Sequence, residues 1–407
     1  MRRCLVTALA AATLLTGCDG PASPNVSSTS PPLSTSSSPS ASVTSTIAPP
    51  PAVPVSCVDQ TFAVMTPTQR VGQLIMVAMN TDPSEATQAI NDAHVGGVFL
   101  LGGYPSAAEA ASTIATAQAA AAKANPAGTK LLVALDQEGG AVRQIKGGVL
   151  DSLPDAQQQA AMTPADLETD VAKTAKVLAD TGIDLDLAPV ADVVPASIGA
   201  ANAPIGAFNR QYGATAEQAT PGVLAFMKGL ATAGVSATLK HFPGLGRISN
   251  NTDTSDTGIT DTVTTADDPS LATFKAGIDA GAQAVMVSSA YYPKIDPQNQ
   301  AMFSPTVIST LLRNTLGFGG VVITDDVGAA KSVAAVPIAD RATRFVEAGG
   351  DIVLTAVASD AVPMTGALLA KAQADPTFST KVDAAVKRVL TLKDQHQLLL
   401  CSTKSGG

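Results

Sequence analysis

Eight short runs of apolar and β-branched residues recur between residues 75 and 355 of this 407-residue chain. Most of these runs are apolar on both faces instead of alternating with polar positions, which is typical of the buried strands of a parallel sheet. Successive runs start roughly 25 to 55 residues apart, which leaves room for a helix in every crossover. The runs are Ile75–Met79, Val98–Leu101, Leu131–Leu135, Asp184–Ala188, Ala237–Lys240, Ala284–Val287, Val321–Thr324 and Ile352–Thr355.

This alternation predicts an α/β fold, a TIM (β/α)8 barrel that forms a single catalytic domain over residues 57–407. A helix is expected to start at Thr66, because an N-cap Thr followed by Pro67 and then Gln69 is a capping-box signal. A doubly wound open sheet is the alternative architecture. No Gly-rich dinucleotide fingerprint follows the first run, and this favours the barrel.

Residues 1–18 have the pattern of an export signal. Arg2 and Arg3 precede an apolar stretch, residues 5–15, that is too short to cross a bilayer. The stretch ends in Leu-Thr-Gly-Cys, which resembles a bacterial lipobox with Cys18 as the lipid-attachment residue. We therefore expect a lipid anchor on the outer face of the cytoplasmic membrane; an ordinary signal peptide is the alternative.

Residues 19–56 are dominated by Ser, Pro and Thr. Few apolar side chains are available there to offset the loss of chain entropy on folding. The composition predicts a disordered tether between the anchor and the barrel.

Composition narrows the classes of function. The formal net charge is −9, and the chain has no basic run, so electrostatic binding of nucleic acid is not expected. The three histidines are scattered, without a Cys/His spacing that suggests zinc. Neither a nucleophile elbow nor a phosphate-binding loop is present. The sequence therefore predicts no metal and no cofactor.

Charged residues follow several of the apolar runs at the point where each run ends. Asp136 follows the third run, Asp192 the fourth, Lys240 and His241 the fifth, and Asp325 the seventh. The carboxyl ends of barrel strands all open onto one face, so these side chains are expected to converge there. Carboxylates, a lysine and a histidine in one cleft suit sugar binding and acid–base catalysis.

At these positions the chain resembles glycoside hydrolase family 3, in particular its single-domain β-N-acetylglucosaminidase branch, from about residue 66 to 395. The similarity lies in four segments: Asp136-Gln137-Glu138-Gly139-Gly140, Ala188-Pro189-Val190-Ala191-Asp192, Lys240-His241-Phe242-Pro243-Gly244, and the stretch from Gly317 to Asp326.

The resemblance implies a retaining hydrolase that removes terminal β-linked N-acetylglucosamine from cell-wall-derived glycans. It implies a monomer whose partner is a carbohydrate substrate. Asp325 corresponds to the family's nucleophile, through which a covalent intermediate would form. The family's sugar-binding positions correspond to Asp136, Asp192, Arg210, Lys240 and His241.

Two positions depart from the family pattern. The family's acid/base histidine corresponds by spacing to Asp253, which we take as the proton donor, with Asp256 and Asp261 as alternatives. The family's arginine after the Asp136 motif falls on Gln144, and the neighbouring Arg143 is the candidate for that substrate contact.

Loss of the histidine leaves two other functions open. One is a catalytically weak, sugar-binding envelope lipoprotein, and the other is a β-glucosidase of the same family. Retention of Asp325 together with the other strand-end residues favours an active glycosidase, because its two-step mechanism needs a carboxylate nucleophile. Adjacent strand residues face opposite ways, so Asp326 is expected to be structural.

Cysteine usage predicts one disulfide bond. Cys4 lies in the export signal, and Cys18 is assigned to the lipid, so Cys57 and Cys401 remain. The first and last elements of a barrel are neighbours, and an exported protein meets an oxidising environment. We expect a bond between Cys57 and Cys401; two free thiols on frayed ends are the alternative.

Overall fold

The computed structural model describes residues 55–125 and 127–401. The predicted export signal, its Cys18 and nearly all of the predicted tether lie outside these residues. Within the described part of the chain, no helix is both long and apolar enough to cross a membrane.

Eight parallel strands form the centre of the molecule. Each pairs with the strand that precedes it in the chain, and the first pairs with the last, with Ile75 opposite Val353. A further parallel bridge between Ile323 and Ile352 closes the ring. The strands are β1 Ile75–Met79, β2 Gly97–Leu100, β3 Leu132–Leu135, β4 Leu185–Asp186, β5 Ser236–Phe242, β6 Ala284–Val287, β7 Val321–Thr324 and β8 Val353–Thr355. The TIM barrel is confirmed, and all eight apolar runs are strands.

Helices occupy the crossovers and surround the sheet. Side chains of Ser106, Thr163 and Thr215 cap three of them by accepting a main-chain N–H of the first turn. The capping box at Thr66 is also present. The helices are α1 Cys57–Val64, α2 Pro67–Gly72, α3 Ser84–Ala93, α4 Ala107–Ala124, α5 Ala156–Ala160, α6 Pro164–Thr181, α7 Ala216–Ala231, α8 Leu271–Asp279, α9 Ile338–Ala348, α10 Ala361–Ala374 and α11 Pro376–Gln395, with a π-helix at Thr306–Thr315 between β6 and β7.

The ends of the barrel domain are joined covalently. Cys57 and Cys401 form a disulfide bond, with a Cα–Cα distance of 5.7 Å across 344 residues of sequence. Leu400 donates a main-chain hydrogen bond to Gly128, just before β3 begins. The disulfide bond therefore lies on the face where the strands start, away from their carboxyl ends. The predicted pairing of Cys57 with Cys401 is confirmed.

Candidate active site

A cavity of about 420 Å³ opens at the carboxyl ends of the strands. Six of the predicted site residues line it: Asp136, Arg210, Lys240, His241, Asp253 and Asp325. They come from five different loops and strand ends, so the barrel brings them together as the sequence predicted. The rest of the lining is Phe99, Leu101, Val142, Leu187, Pro204, Leu245, Asn251, Thr252, Met286, Asp326, Ala329, Leu354 and Ala356.

Lys240 forms the centre of a charged network on one wall. Its Nζ donates to Asp136 Oδ1 at 2.5 Å and lies 2.5 Å from Glu138 Oε1. The Glu138 carboxylate also accepts hydrogen bonds from Nε and Nη2 of Arg210, at 2.9 and 2.6 Å. Two cations and two carboxylates thus hold one another rigidly, which suits fixed contacts with sugar hydroxyl groups.

Electrostatics keeps this network ionised. Burial opposes the charge on Glu138, but Arg210 and Lys240 outweigh it and hold the pKa of that carboxyl well below its usual range. Burial likewise opposes the charge on Lys240, and Asp136 and Glu138 outweigh it, so the pKa of that ammonium lies above its usual value. Removing one member would leave a buried charge without its partner.

Glu138 was not among the predicted site residues. A signal for it exists in the sequence, because Glu138 lies two positions after Asp136, and residues two apart in extended chain point to the same side. The residue is buried and does not line the cavity. It therefore positions Lys240 and Arg210 instead of contacting substrate.

His241 is oriented by Asp192. The His241 ring nitrogen Nδ1 lies 2.7 Å from Asp192 Oδ2, and its main-chain N–H donates to Oδ1 at 3.0 Å. The N–H of Leu245 donates to the same Oδ1 at 2.9 Å. Asp192 is fully buried. The predicted sugar contact by Asp192 is therefore corrected: the carboxylate lies behind His241 and fixes its ring.

Arg143 is also placed differently from the prediction. It does not line the cavity, and its Nη1 donates to the carboxylate of Asp151 at 3.1 Å. Gln144 does not line the cavity either; its side-chain oxygen accepts the main-chain N–H of Gly103 at 3.2 Å. Arg143 ends a two-stranded hairpin formed by Gln137–Gly139 and Val142–Arg143, and neither Arg143 nor Gln144 supplies the predicted contact.

Asp325 and Asp326 follow β7 and differ in role. The Asp326 carboxylate accepts main-chain N–H groups of Gly328, Ala329 and Ala356 at 2.7–2.9 Å, which ties the β7 loop to β8. Asp325 accepts only the N–H of Asp326, through Oδ1 at 2.9 Å, among the described residues. Asp325 is thus the carboxylate left available for chemistry.

Asp253 lies at the mouth of the cavity and influences Asp325. Burial, followed by the charge of Asp253, raises the pKa of Asp325 to about 6. Partial desolvation against the cavity wall raises the pKa of Asp253, and His241 opposes that shift. A carboxyl group whose pKa is raised by burial and a second carboxylate beside it are the two groups that an acid and a nucleophile require.

The alternative donors lie elsewhere. Asp261 is buried and caps the turn after it, accepting the N–H groups of Val263 and Thr264. Asp256 is exposed in the same loop. Neither lines the cavity. Among these three carboxyl groups, Asp253 alone is in position to reach a sugar.

The loop that carries Asp253 is fastened on two sides. From the β4 side, the buried Asn202 donates through Nδ2 to the carbonyls of Leu245 and Ile248, at 2.7 and 2.8 Å. From the β7 side, the N–H groups of Lys331 and Ser332 bind the carbonyls of Asp253 and Thr252. Asn202 was not predicted, because an isolated Asn carries no signal for a contact more than 40 residues away.

A closed parallel barrel with paired carboxylates, a lysine and a histidine at its carboxyl end defines a glycosidase-type TIM barrel. Residues 66–392 match the glycosyl hydrolase family 3 N-terminal domain. The chain therefore belongs to glycoside hydrolase family 3.

Individual relatives agree with this assignment. A "Beta-hexosaminidase" of Stenotrophomonas maltophilia is 36% identical over 239 residues, which is 55% of this chain and 66% of that relative's own length. The crystal structure of a β-N-acetylhexosaminidase from Beutenbergia cavernae has a TM-score of 0.79 and 47% identity, covering 82% of this chain and 99% of that one. A family 3 β-N-acetylglucosaminidase from Paenibacillus has a TM-score of 0.71 and 29% identity, covering 84% and 65%. The chain is a glycosidase.

Proposed function

We propose that this protein removes terminal β-linked N-acetylglucosamine with retention of configuration, with Asp325 as nucleophile and Asp253 as acid/base. The observation that carries the proposal is that Asp325 and Asp253 line the same cavity, where the charge of Asp253 raises the pKa of Asp325. The choice of sugar follows the relatives, which are β-hexosaminidases and β-N-acetylglucosaminidases.

The first step forms a glycosyl–enzyme bond. A carboxylate oxygen of Asp325 attacks the anomeric carbon, the bond to the leaving oxygen breaks, and Asp253 transfers its proton to that oxygen. In the second step Asp253 takes a proton from water, whose oxygen attacks the anomeric carbon and releases Asp325. Each residue ends the cycle in its starting protonation state.

The remaining cavity residues hold the sugar. Asp136, Lys240, Arg210 and His241 present charged donors and acceptors to ring hydroxyl groups. A volume of about 420 Å³ is near the lower end of the range of ligand pockets, so it suits one sugar ring rather than a chain. An enzyme with such a cavity acts on the ends of glycan chains. Apolar lining residues such as Met286 and Leu354 suit an N-acetyl methyl group.

Trapping of the intermediate tests the proposal. Incubation with a 2-deoxy-2-fluoro or 5-fluoro glycosyl donor, followed by peptide mapping, should place the label on Asp325. Asp325→Ala should fold normally and lose nearly all turnover of an aryl β-N-acetylglucosaminide. A label on another residue would contradict the nucleophile assignment. Sugar binding without turnover by the wild type would instead favour the sugar-binding lipoprotein.

We also propose that the protein is anchored to the membrane through Cys18 and acts on cell-wall-derived glycans. The Leu-Thr-Gly-Cys ending supports the anchor. Cys18→Ala should move the protein from the membrane fraction to the medium, since a diacylglyceryl group holds a protein far better than one acyl chain does. Unchanged membrane association in that variant would refute the anchor, and failure to cleave purified muropeptides would refute the substrate source.

A further inference from the structure

Two aromatic side chains are conspicuously exposed among the residues that the structure describes. Phe208 is 52% exposed and Tyr291 is 37% exposed. Both lie in loops that follow strands, Phe208 after β4 and Tyr291 after β6, and hence on the face where the cavity opens. Exposed apolar side chains are common, so their position relative to the cavity decides whether they have a role.

Phe208 lies within the segment that forms one wall of the cavity. Pro204 and Arg210, four residues before it and two after it, both line the cavity. The Arg210 guanidinium donates to the carbonyl of Pro204 at 2.9 Å, so the two ends of this segment are joined. The ring of Phe208 does not itself line the cavity, but it is exposed on a segment whose two ends do.

The turn that carries Phe208 is fixed by hydrogen bonds. The N–H groups of Phe208 and Arg210 both donate to the carbonyl of Ile205. The next residue, Asn209, has a φ of 55° and donates through Nδ2 to Asp155 at 3.3 Å. An aromatic ring on a fixed turn loses little entropy when a ligand covers it.

Tyr291 is tied to a different part of the face. Its main chain pairs with Ile259 and Asp261. Tyr291, like Phe208, does not line the cavity, but unlike the segment of Phe208 its main-chain partners do not line it either. Tyr291 is therefore a matched comparison: an exposed aromatic ring on the same face of the barrel, supported by residues outside the cavity.

We propose that Phe208 is an aglycone platform, on which the sugar ring attached to the departing oxygen stacks. The inference rests on the proposed function. A cavity for one ring leaves the second ring of a disaccharide outside it, and the proposal places that ring on the segment from Pro204 to Arg210. The C–H face of a pyranose is apolar and packs well on an aromatic ring.

Kinetics with two substrates tests the platform. We would compare the disaccharide N,N′-diacetylchitobiose with methyl β-N-acetylglucosaminide, which also has an alcohol as leaving group but has no second ring. Phe208→Ala should lower kcat/KM for the disaccharide by about five- to tenfold and leave the methyl glycoside unchanged. Phe208→Trp should retain disaccharide activity, and Tyr291→Ala should change neither substrate.

Binding separates failure of the platform from failure of the proposed function. Calorimetry can be done in an Asp325→Asn background. There Phe208→Ala should raise the dissociation constant of the disaccharide by about five- to tenfold, while free N-acetylglucosamine binds with the same affinity with and without Phe208→Ala. Such a result supports the platform even if the wild type proves unable to hydrolyse these substrates. Equal losses for both ligands, no loss for either, or a selective loss in Tyr291→Ala alone would overturn it.

Discussion

The main-chain N–H of Lys331 donates a hydrogen bond of 3.0 Å to the main-chain carbonyl of Asp253. Lys331 belongs to the β7 loop, six residues after Asp325, so the loop that begins with the proposed nucleophile also holds the proposed proton donor. A parallel bond joins Ser332 to Thr252. Main-chain contacts, rather than side-chain packing alone, therefore set the position of one carboxyl group relative to the other.

The first prediction concerns the acidic limb of the pH profile. Asp325 must be ionised to attack, and its pKa is raised to about 6 by burial and by Asp253, so kcat/KM should fall as the pH drops through about 6. Asp253→Asn removes the neighbouring charge and should shift this limb to lower pH, by up to about one unit. The measurement is kcat/KM of an aryl glycoside between pH 4 and pH 8, at roughly half-unit steps. Asp256→Asn, in the same loop, serves as the control, and an unmoved limb in Asp253→Asn would show that the two groups are uncoupled.

The second prediction concerns the leaving group. Asp253→Ala should slow disaccharides by about 10²–10⁴-fold, because their departing oxygen needs a proton, and should slow the glycosylation step of activated aryl glycosides little. Azide should then restore turnover of the aryl substrates by replacing the base-activated water. Pre-steady-state release of the aryl group measures the first step directly. Equal losses for good and poor leaving groups would eliminate Asp253 as the proton donor.

The third prediction concerns Asn202, whose side chain makes four hydrogen bonds within the barrel loops. Asn202→Ala leaves the carbonyls of Leu245 and Ile248 without their donor and should lower the free energy of unfolding by about 2–4 kcal/mol. Since the freed loop carries Asp253, the folded variant should lose more activity on disaccharides than on aryl glycosides. Urea denaturation and kinetics on both substrates check this. Asn250→Ala, at an exposed position of the same loop, should change neither the free energy of unfolding nor the activity. If Asn202→Ala lowers activity equally on both substrates, Asn202 contributes to stability but does not position Asp253.

The fourth prediction concerns the Cys57–Cys401 bond. It closes a loop of 344 residues, so its removal in a Cys57→Ser, Cys401→Ser variant should destabilise the fold by about 3–5 kcal/mol by freeing the unfolded chain. Activity at 25 °C should persist, since the bond lies on the face opposite the cavity. Thermal unfolding of the oxidised, reduced and doubly substituted proteins gives the comparison. Should reduction leave the unfolding temperature unchanged, the bond contributes nothing to stability.

The strands show how much of the secondary structure the local apolar pattern predicts. The first, sixth and seventh runs coincide with β1, β6 and β7 residue for residue, because strands buried on both faces are mainly apolar. The fourth run extends beyond its strand, which covers only Leu185–Asp186. Pro189 lies just after it and has no N–H to donate to a neighbouring strand.

The sequence by itself determined the barrel, the face on which the charged residues meet, the cavity positions of Asp325, Lys240 and Asp253, and the partner of Cys57. These follow from local apolar pattern and from the rule that the carboxyl ends of barrel strands share one face. The tertiary structure alone decided that Asp192 lies behind His241, that Arg143 pairs with Asp151, and that Glu138 and Asn202 position other groups. Those roles depend on the direction of each side chain and on contacts with loops distant in sequence, and the local residue pattern specifies neither.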